Sequence, residues 1–240
     1  MKTIKIVTLA ILAAVTTSCQ FDLRLGQENG NGNVVTEDRP VSENFDKVRG
    51  SAGLDVFLTK GNENKITVEA DENLLDNIET EVRNGKLYIT TNENIGRSKS
   101  KKIYVTYESL ISVEASSGAD VIGNSVLKSE YITLDSSSGA DLEIEVNARE
   151  VRAESSSGAD LKVSGTAIKL IADASSGSDI KAKDLIVTNC NADASSGADI
   201  TVNVKGKIEA DASSGGDVKY YGNPEAVRTR DGVSGSVRKM

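Results

Sequence analysis

Glu114-Ala115-Ser116-Ser117-Gly118-Ala119-Asp120-Val121 decides the reading of this chain, because the same phrase returns five more times. Each copy runs acid, small residue, Ser-Ser-Gly, small residue, Asp, aliphatic. The copies centre on Gly118, Gly139, Gly158, Gly177, Gly197 and Gly215, at spacings of 21, 19, 19, 20 and 18 residues. A period near twenty with alternation of two inside each unit marks a solenoid whose coils stack strand on strand. The expected fold is therefore all-β, a single-stranded parallel β-helix of about 19–20 residues per coil.

Alternation sorts the side chains of each coil. Around Gly177 the inward set is Ala172, Ala174, Ser176, Ser178, Ile180 and Ala182, and the outward set is Asp173, Ser175, Asp179 and Lys181. The same parity puts Ser117, Ser138, Ser157, Ser176, Ser196 and Ser214 inside the bend, where their hydroxyls would bond along the stack or to backbone. The repeat glycines are expected at positive φ. A second, less regular turn closes the coil near Gly165-Thr166, Lys183-Asp184 or Lys205-Gly206.

Outside these coils the signal is worn. Ser51-Ala52-Gly53-Leu54-Asp55-Val56 keeps the Gly, the Asp and the aliphatic. Ile66–Ala70, Leu87–Thr90 and Ile103–Thr106 read as strands, and Asp71 to Ile78 as a short helical turn. Asp231, Ser234 and Gly235 suggest an incomplete last coil with Val237 in place of the repeat Asp.

The chain opens Met1-Lys2-Thr3-Ile4-Lys5, is apolar from Ile6 to Val15, and reaches Thr16-Thr17-Ser18-Cys19. A basic start, a short apolar run and small residues before a cysteine describe a secretory signal. The cysteine placement resembles a bacterial lipobox, with Thr16 where Leu is more typical. Residues 1–18 are thus expected to be a lipoprotein signal peptide, and Cys19 the lipid-modified residue that anchors the chain to the cell envelope, at the outer membrane. Polar residues 19–39 are expected as a tether and 40–238 as the solenoid. Within it, 40–110 would form degenerate coils, 111–220 the six regular ones and 221–238 a cap.

Loss of Lys2 and Lys5 leaves 26 basic against 36 acidic side chains, a net charge of −10. Such a surface disfavours nucleic acid, whose phosphates are held by Lys and Arg. With Cys19 lipidated, Cys190 is alone, and its parity places it in the core as a small hydrophobe. The chain has no His, so neither a catalytic thiol nor a Ser-Ser-Gly hydrolase finds its base.

Several motifs together resemble the bacterial head GIN domain, a domain of unknown function described as the head of an autotransporter adhesin. They are the Ser-Gly-Ala-Asp coils, Gly53-Leu54-Asp55-Val56, Leu74-Leu75-Asp76-Asn77-Ile78 with Gly85-Lys86-Leu87, and Tyr221-Gly222-Asn223-Pro224. The resemblance covers about residues 40 to 238. It implies a right-handed solenoid, often on lipid-anchored or secreted proteins, and an adhesin-like role. It brings no catalytic residues.

Two outward acid columns stand out: Glu114, Asp135, Glu154, Asp173, Asp193 and Asp211, and Asp120, Asp141, Asp160, Asp179, Asp199 and Asp217. Like charges about 4.8 Å apart repel by roughly 0.9 kcal/mol in water. The architectural expectation is that outward serines, turn N–H groups and Lys162, Lys181 and Lys219 offset this. The alternative is that the second column holds Ca²⁺, as in calcium-binding β-rolls, although the opposite turn lacks the matching Gly/Asp set. No other cofactor is expected. A non-enzymatic surface-binding or scaffold module, with an envelope or extracellular glycan or protein as partner, is the leading reading. A polysaccharide lyase or hydrolase on a β-helix is the other. Its site would break the repeat, and Arg149-Glu150-Val151-Arg152 reads as an ordinary solvated turn. Arg97-Ser98-Lys99-Ser100-Lys101-Lys102 reads as an exposed basic loop, and Tyr220-Tyr221 as end packing.

Overall fold

A computed structural model describes residues 27–232 and 234–240. The expected signal peptide and Cys19 lie outside the described residues. The strands are β1 (Gln27–Glu28), β2 (Val34–Arg39), β3 (Lys47–Gly50), β4 (Asp55–Lys60), β5 (Lys65–Asp71), β6 (Ile78–Arg83), β7 (Lys86–Thr91), β8 (Asn94–Ile95), β9 (Lys101–Tyr107) and β10 (Ser112–Ala115). They continue as β11 (Asp120–Gly123), β12 (Leu127–Ser137), β13 (Asp141–Ser156), β14 (Asp160–Ser175), β15 (Asp179–Ala194), β16 (Asp199–Ala212), β17 (Asp217–Tyr221), β18 (Ala226–Asp231) and β19 (Ser236–Lys239). The helical turn expected after Asp71 is a single 3₁₀ turn, Glu72–Leu74.

Stacked parallel strands form a β-solenoid, as the period implied. Two ladders run its length. The ladder before the tight turn stacks β6, β7, β3, β10, β12, β13, β14, β15, β16 and β18. The ladder after it stacks β2, β5, β9, β4, β11, β13, β14, β15, β16, β17 and β19. Strands β13 to β16 run through both, bending in the middle.

Two features depart from a simple winding. The coil made by β3 and β4 is first in sequence but second in space, between β7/β9 and β10/β11. Beyond β7 and β9 the ladders end in antiparallel strands: β6 on β7, β5 on β9 and β2 on β5. The signal for the first of these hairpins is local. Asn84 and Gly85 have φ of 53° and 73°, the pair of positive values a tight hairpin turn demands. Part of the segment expected as a tether is likewise sheet: β2 pairs with β5 over its whole length, and β1 pairs with β8.

Asp71 pins this end. Its carboxylate accepts backbone N–H groups of Gly32 (2.9 Å), Lys99 (3.0 Å) and Ser100 (3.0 Å). Burial pushes its pKa up, but those three donors outweigh burial and hold it below the ordinary carboxylate range. The expected basic loop is therefore anchored by its backbone, and Lys101 and Lys102 already belong to β9. Asp71→Asn is expected to cost about 2 kcal/mol, because the amide is a weaker acceptor with fewer lone pairs. Urea unfolding measures it; an unchanged midpoint would contradict this anchoring.

The core is a narrow strip between the two ladders. Leu134, Ala153, Ala172, Ala192 and Ala210 stack on one side, and Leu142, Leu161, Ile180, Ile200 and Val218 on the other, all buried. Cys190 is buried in line with Leu170 and Ile208, and burial raises its thiol to about 12. It is packing, not chemistry.

Candidate functional site

Turn geometry makes the repeated surface. In five of the six coils a carbonyl at the start of the turn accepts the N–H three residues on, as Ser116 does from Ala119 and Ser156 from Ala159. Both residues between have positive φ: Ser117 and Gly118 at 52° and 71°, Ser157 and Gly158 at 55° and 71°. The glycine half of this was expected. The serine half corrects the parity argument, because the tight turn consumes two positions and throws its first central residue outward. Ser117, Ser138, Ser157, Ser176, Ser196 and Ser214 are all exposed. The buried serines are others, and they are satisfied. Ser136 and Ser155 donate to the Ala140 and Ala159 carbonyls across their own turns, and Ser178 donates to Ser155 of the coil before.

A non-glycine residue at positive φ costs on the order of 1 kcal/mol, so each turn needs compensation. The ladder supplies some, since every repeat glycine but Gly215 donates to the next coil, for example Gly118 to Ser138 and Gly139 to Ser157, both at 3.1 Å.

Register at the turn is invariant. Asp55, Asp120, Asp141, Asp160, Asp179, Asp199 and Asp217 stand opposite one another, as do Glu114, Asp135, Glu154, Asp173, Asp193 and Asp211. Coils of unequal length are nevertheless stacked, and the surplus is absorbed at the second bend. There the register slips between Lys162 and Gly165, between Ala182 and Ile186, and between Val187 and Asn189. The molecule keeps its turn edge regular and lets the other edge vary. The last coil is displaced by one residue from the sequence expectation: Ser236, not Val237, stands opposite Asp217 and donates its hydroxyl to it. Val237 continues the inward column.

Among the described residues, this bond is the only one from a serine hydroxyl to a repeat acid. The expected serine shield is absent, and cations carry the compensation. Lys181 Nζ lies 2.6 Å from Asp160 and 3.5 Å from Asp179, Lys219 lies 3.3 Å from Asp199, and Lys162 lies 2.7 Å from Glu143. Arg152 pairs with Glu154 and Asp173. Bases also close both ends of the first column: Lys86 bonds Glu114, and Arg230 lies 2.7 Å from Asp211. The second column begins beside Lys102.

Compensation is incomplete. Burial pushes Asp135, Asp141 and Asp173 above the ordinary carboxylate range, and like-charged neighbours in the same columns add to it. A raised pKa in the folded state means that the folded chain binds protons more tightly than the unfolded one. Stability should therefore rise as pH falls from 7 through those raised values, and the gain is complete below the ordinary value near 3.9. Asp71 acts in the opposite sense: its contribution is present above the ordinary value and is lost as pH falls through its lowered one. A stability maximum on the acid side of neutrality is expected, and melting curves from pH 7 to 3 locate it. Asp135→Asn should flatten the rise and stabilise the neutral protein by about 1 kcal/mol. A monotonic loss of stability on acidification would refute the repulsion.

The calcium candidates Asp120, Asp141, Asp160, Asp179, Asp199 and Asp217 form a line, not a cage. Among the described residues no three His, Cys, Asp or Glu side chains converge as a metal site. The repeat acids are equivalent members of an array. Arg149 to Arg152 lies in β13, with Val151 buried, Glu150 paired to Lys169 and Arg152 to Glu154. Tyr220 is buried at the end of the core, and Tyr221 takes Lys183 Nζ over its ring at 4.6 Å. A solvated pocket flanks the first column, lined by Asp135, Arg152, Glu154, Asp173, Asp193 and the serines between them. Sequence reasoning passed over Tyr131, which is 60% exposed beside this pocket. The signal available was its place in an outward column that is polar through the next four coils.

This geometry, a parallel solenoid with one regular acid-and-serine edge, defines the protein as a β-solenoid. Residues 44–224 match the family described as "Putative auto-transporter adhesin, head GIN domain", and the chain belongs to that family. Solved structures share the fold. A "putative adhesin" from Bacteroides fragilis superposes with a TM-score of 0.82 at 20% identity, over 89% of this chain and 100% of that one. A "putative lipid binding protein" from Parabacteroides distasonis gives 0.73 at 21% identity, over 89% and 99%. A "putative adhesin" from Parabacteroides merdae gives 0.68 at 18%, over 90% and 99%. No curated protein matches the chain.

Proposed function

We propose that this protein is a non-enzymatic, lipid-anchored adhesin-like module of the outer membrane, held by Cys19, which binds an envelope or extracellular partner through its solenoid surface. One observation carries the reading: the turn edge keeps its acids and serines in unbroken register while irregularity is confined to the opposite bend. Selection for folding alone would not distinguish the two edges. A repeated array of equivalent side chains suits multivalent contact with a repetitive surface, where many weak contacts add as avidity. An enzyme would instead need one singular constellation. Family membership and the adhesin label of its solved relatives support the same reading.

Two experiments test it. Palmitate labelling in cells should mark the wild type and leave Cys19→Ser unlabelled and released from the membrane fraction. Beads coated with the chain should bind bacterial or host-cell surfaces saturably. Absence of saturable binding to any surface, or depolymerisation of polysaccharide by the same sample, would overturn the proposal.

A further inference from the structure

We infer that the depression around Tyr131 is a subsite for a neutral pyranose of a glycan; this deepens the surface-binding reading and rests on it. The outward column of Tyr131 runs on through Glu150, Lys169, Asn189 and Lys207 in the next four coils, all polar. Tyr131 is the apolar exception and, at 60% exposure, the most exposed aromatic among the described residues. The fold does not need it there, since the adjacent Ile132 fills the core from the other face of the same strand at 2% exposure.

Tyr131 walls a depression of about 490 Å³ together with Ile111, which is itself 42% exposed, and Ser129, Thr133, Glu150 and Arg152. An apolar wall with a few fixed polar groups is the usual composition of a small-ligand site. Two of the polar groups here are oriented before any ligand arrives. Glu150 Oε2 is held by Lys169 Nζ at 3.3 Å, and the Arg152 guanidinium is held by Glu154 and Asp173. Each keeps spare capacity, because a carboxylate accepts about four hydrogen bonds and a guanidinium donates five.

A pyranose presents one C–H face, which packs on an aromatic ring, and an edge of hydroxyls that both donate and accept. Ring and rim match that division. The charge nearby chooses among sugars. Arg152 is already neutralised by two carboxylates, and the depression adjoins the acid column through Asp135, Glu154 and Asp173. Uronic and sialic acids would meet repulsion from that column, whereas a neutral sugar would not. An acyl chain on this wall would desolvate Glu150 and Arg152 without replacing their hydrogen bonds, which a sugar's hydroxyls would do.

The test is native electrophoresis of the purified chain in gels containing xylan, galactomannan, mixed-linkage β-glucan or polygalacturonate. At least one neutral polymer should retard the chain, and polygalacturonate should not. Tyr131→Ala should weaken that retardation at least tenfold and Tyr131→Phe should preserve it. Val227→Ala, at an exposed apolar site on β18 several coils away, should leave it unchanged. Melting curves should be the same for all variants, since Tyr131 contributes little to the core. Retardation that survives Tyr131→Ala, equal retardation by polygalacturonate, or none by any neutral polymer would overturn the subsite. So would a Tyr131-dependent affinity for phosphatidylethanolamine–phosphatidylglycerol vesicles without one for polysaccharide. Saturable cell binding that persists in Tyr131→Ala would overturn the subsite alone; no cell binding by the wild type would overturn the surface-binding reading itself.

Discussion

Gly216→Ala is expected to destabilise the protein by about 3 kcal/mol, although alanine is what the repeat carries at this place in Ala119, Ala140, Ala159 and Ala198. A methyl group on Gly216 would lie 2.4 Å from the Ala194 carbonyl oxygen and 2.8 Å from the Ser195 nitrogen. Both are backbone atoms of the coil below, so neither can swing aside. The turn of the following coil repeats the constraint, since a methyl on Gly235 would meet Ala212 O at 2.3 Å. Urea unfolding of Gly216→Ala against Ala198→Gly is the measurement. The second variant loses one buried methyl and gains backbone freedom, at about 1 kcal/mol. If restoring the consensus alanine at 216 stabilised the chain, the close approach of these coils would be wrong.

Leu161→Ala should cost about 3 kcal/mol. Leu161 is fully buried, with Leu142 and Ile180 directly above and below it in the stack. The side of the core built from alanines has no bulk with which to close the cavity. In a solenoid each coil contacts only its neighbours, so one cavity weakens two interfaces at once. Hydrogen exchange should show amides of β13, β14 and β15 losing protection together, before those of β4 and β9. Lys162→Ala, one residue away and facing out, is the control. Its ion pair with Glu143 is about half exposed on both sides, and such pairs contribute under about 1 kcal/mol. Equal effects of the two substitutions would mean that alternation has been misassigned.

The parity error at the turn serines shows where reading by alternation stops. A rule of period two holds while the backbone is extended. At Ser117-Gly118 the chain enters two successive positive-φ conformations, and the count must be restarted on the other side. Ser-Gly names that conformation less plainly than Asn-Gly does. Asn84-Gly85 carries the plainer signal but was passed over, and it closes an antiparallel hairpin inside a region expected only as worn coils. The acids were placed correctly because they lie in extended backbone on either side of the turn. Of their expected partners, Lys181 and Lys219 do pair with repeat acids, while the serines do not and Lys162 reaches Glu143 instead, because which side chain reaches which carboxylate depends on the stagger between coils.

By itself the sequence determined the solenoid, its period, the inward Ala/Leu/Ile strips, the outward acid columns and the burial of Cys190. All of these follow from repetition and alternation, which are local and recur often enough to identify themselves. Tertiary structure alone decided the insertion of the β3–β4 coil between β7/β9 and β10/β11 and the antiparallel strands that close the N-terminal ladders. It also decided the absorption of unequal coil lengths at the bend, and the union of Ile111, Tyr131 and Arg152 around one depression. Each of these turns on which coil lies against which, a choice made by contacts between residues tens of positions apart, and no periodicity within a coil encodes it.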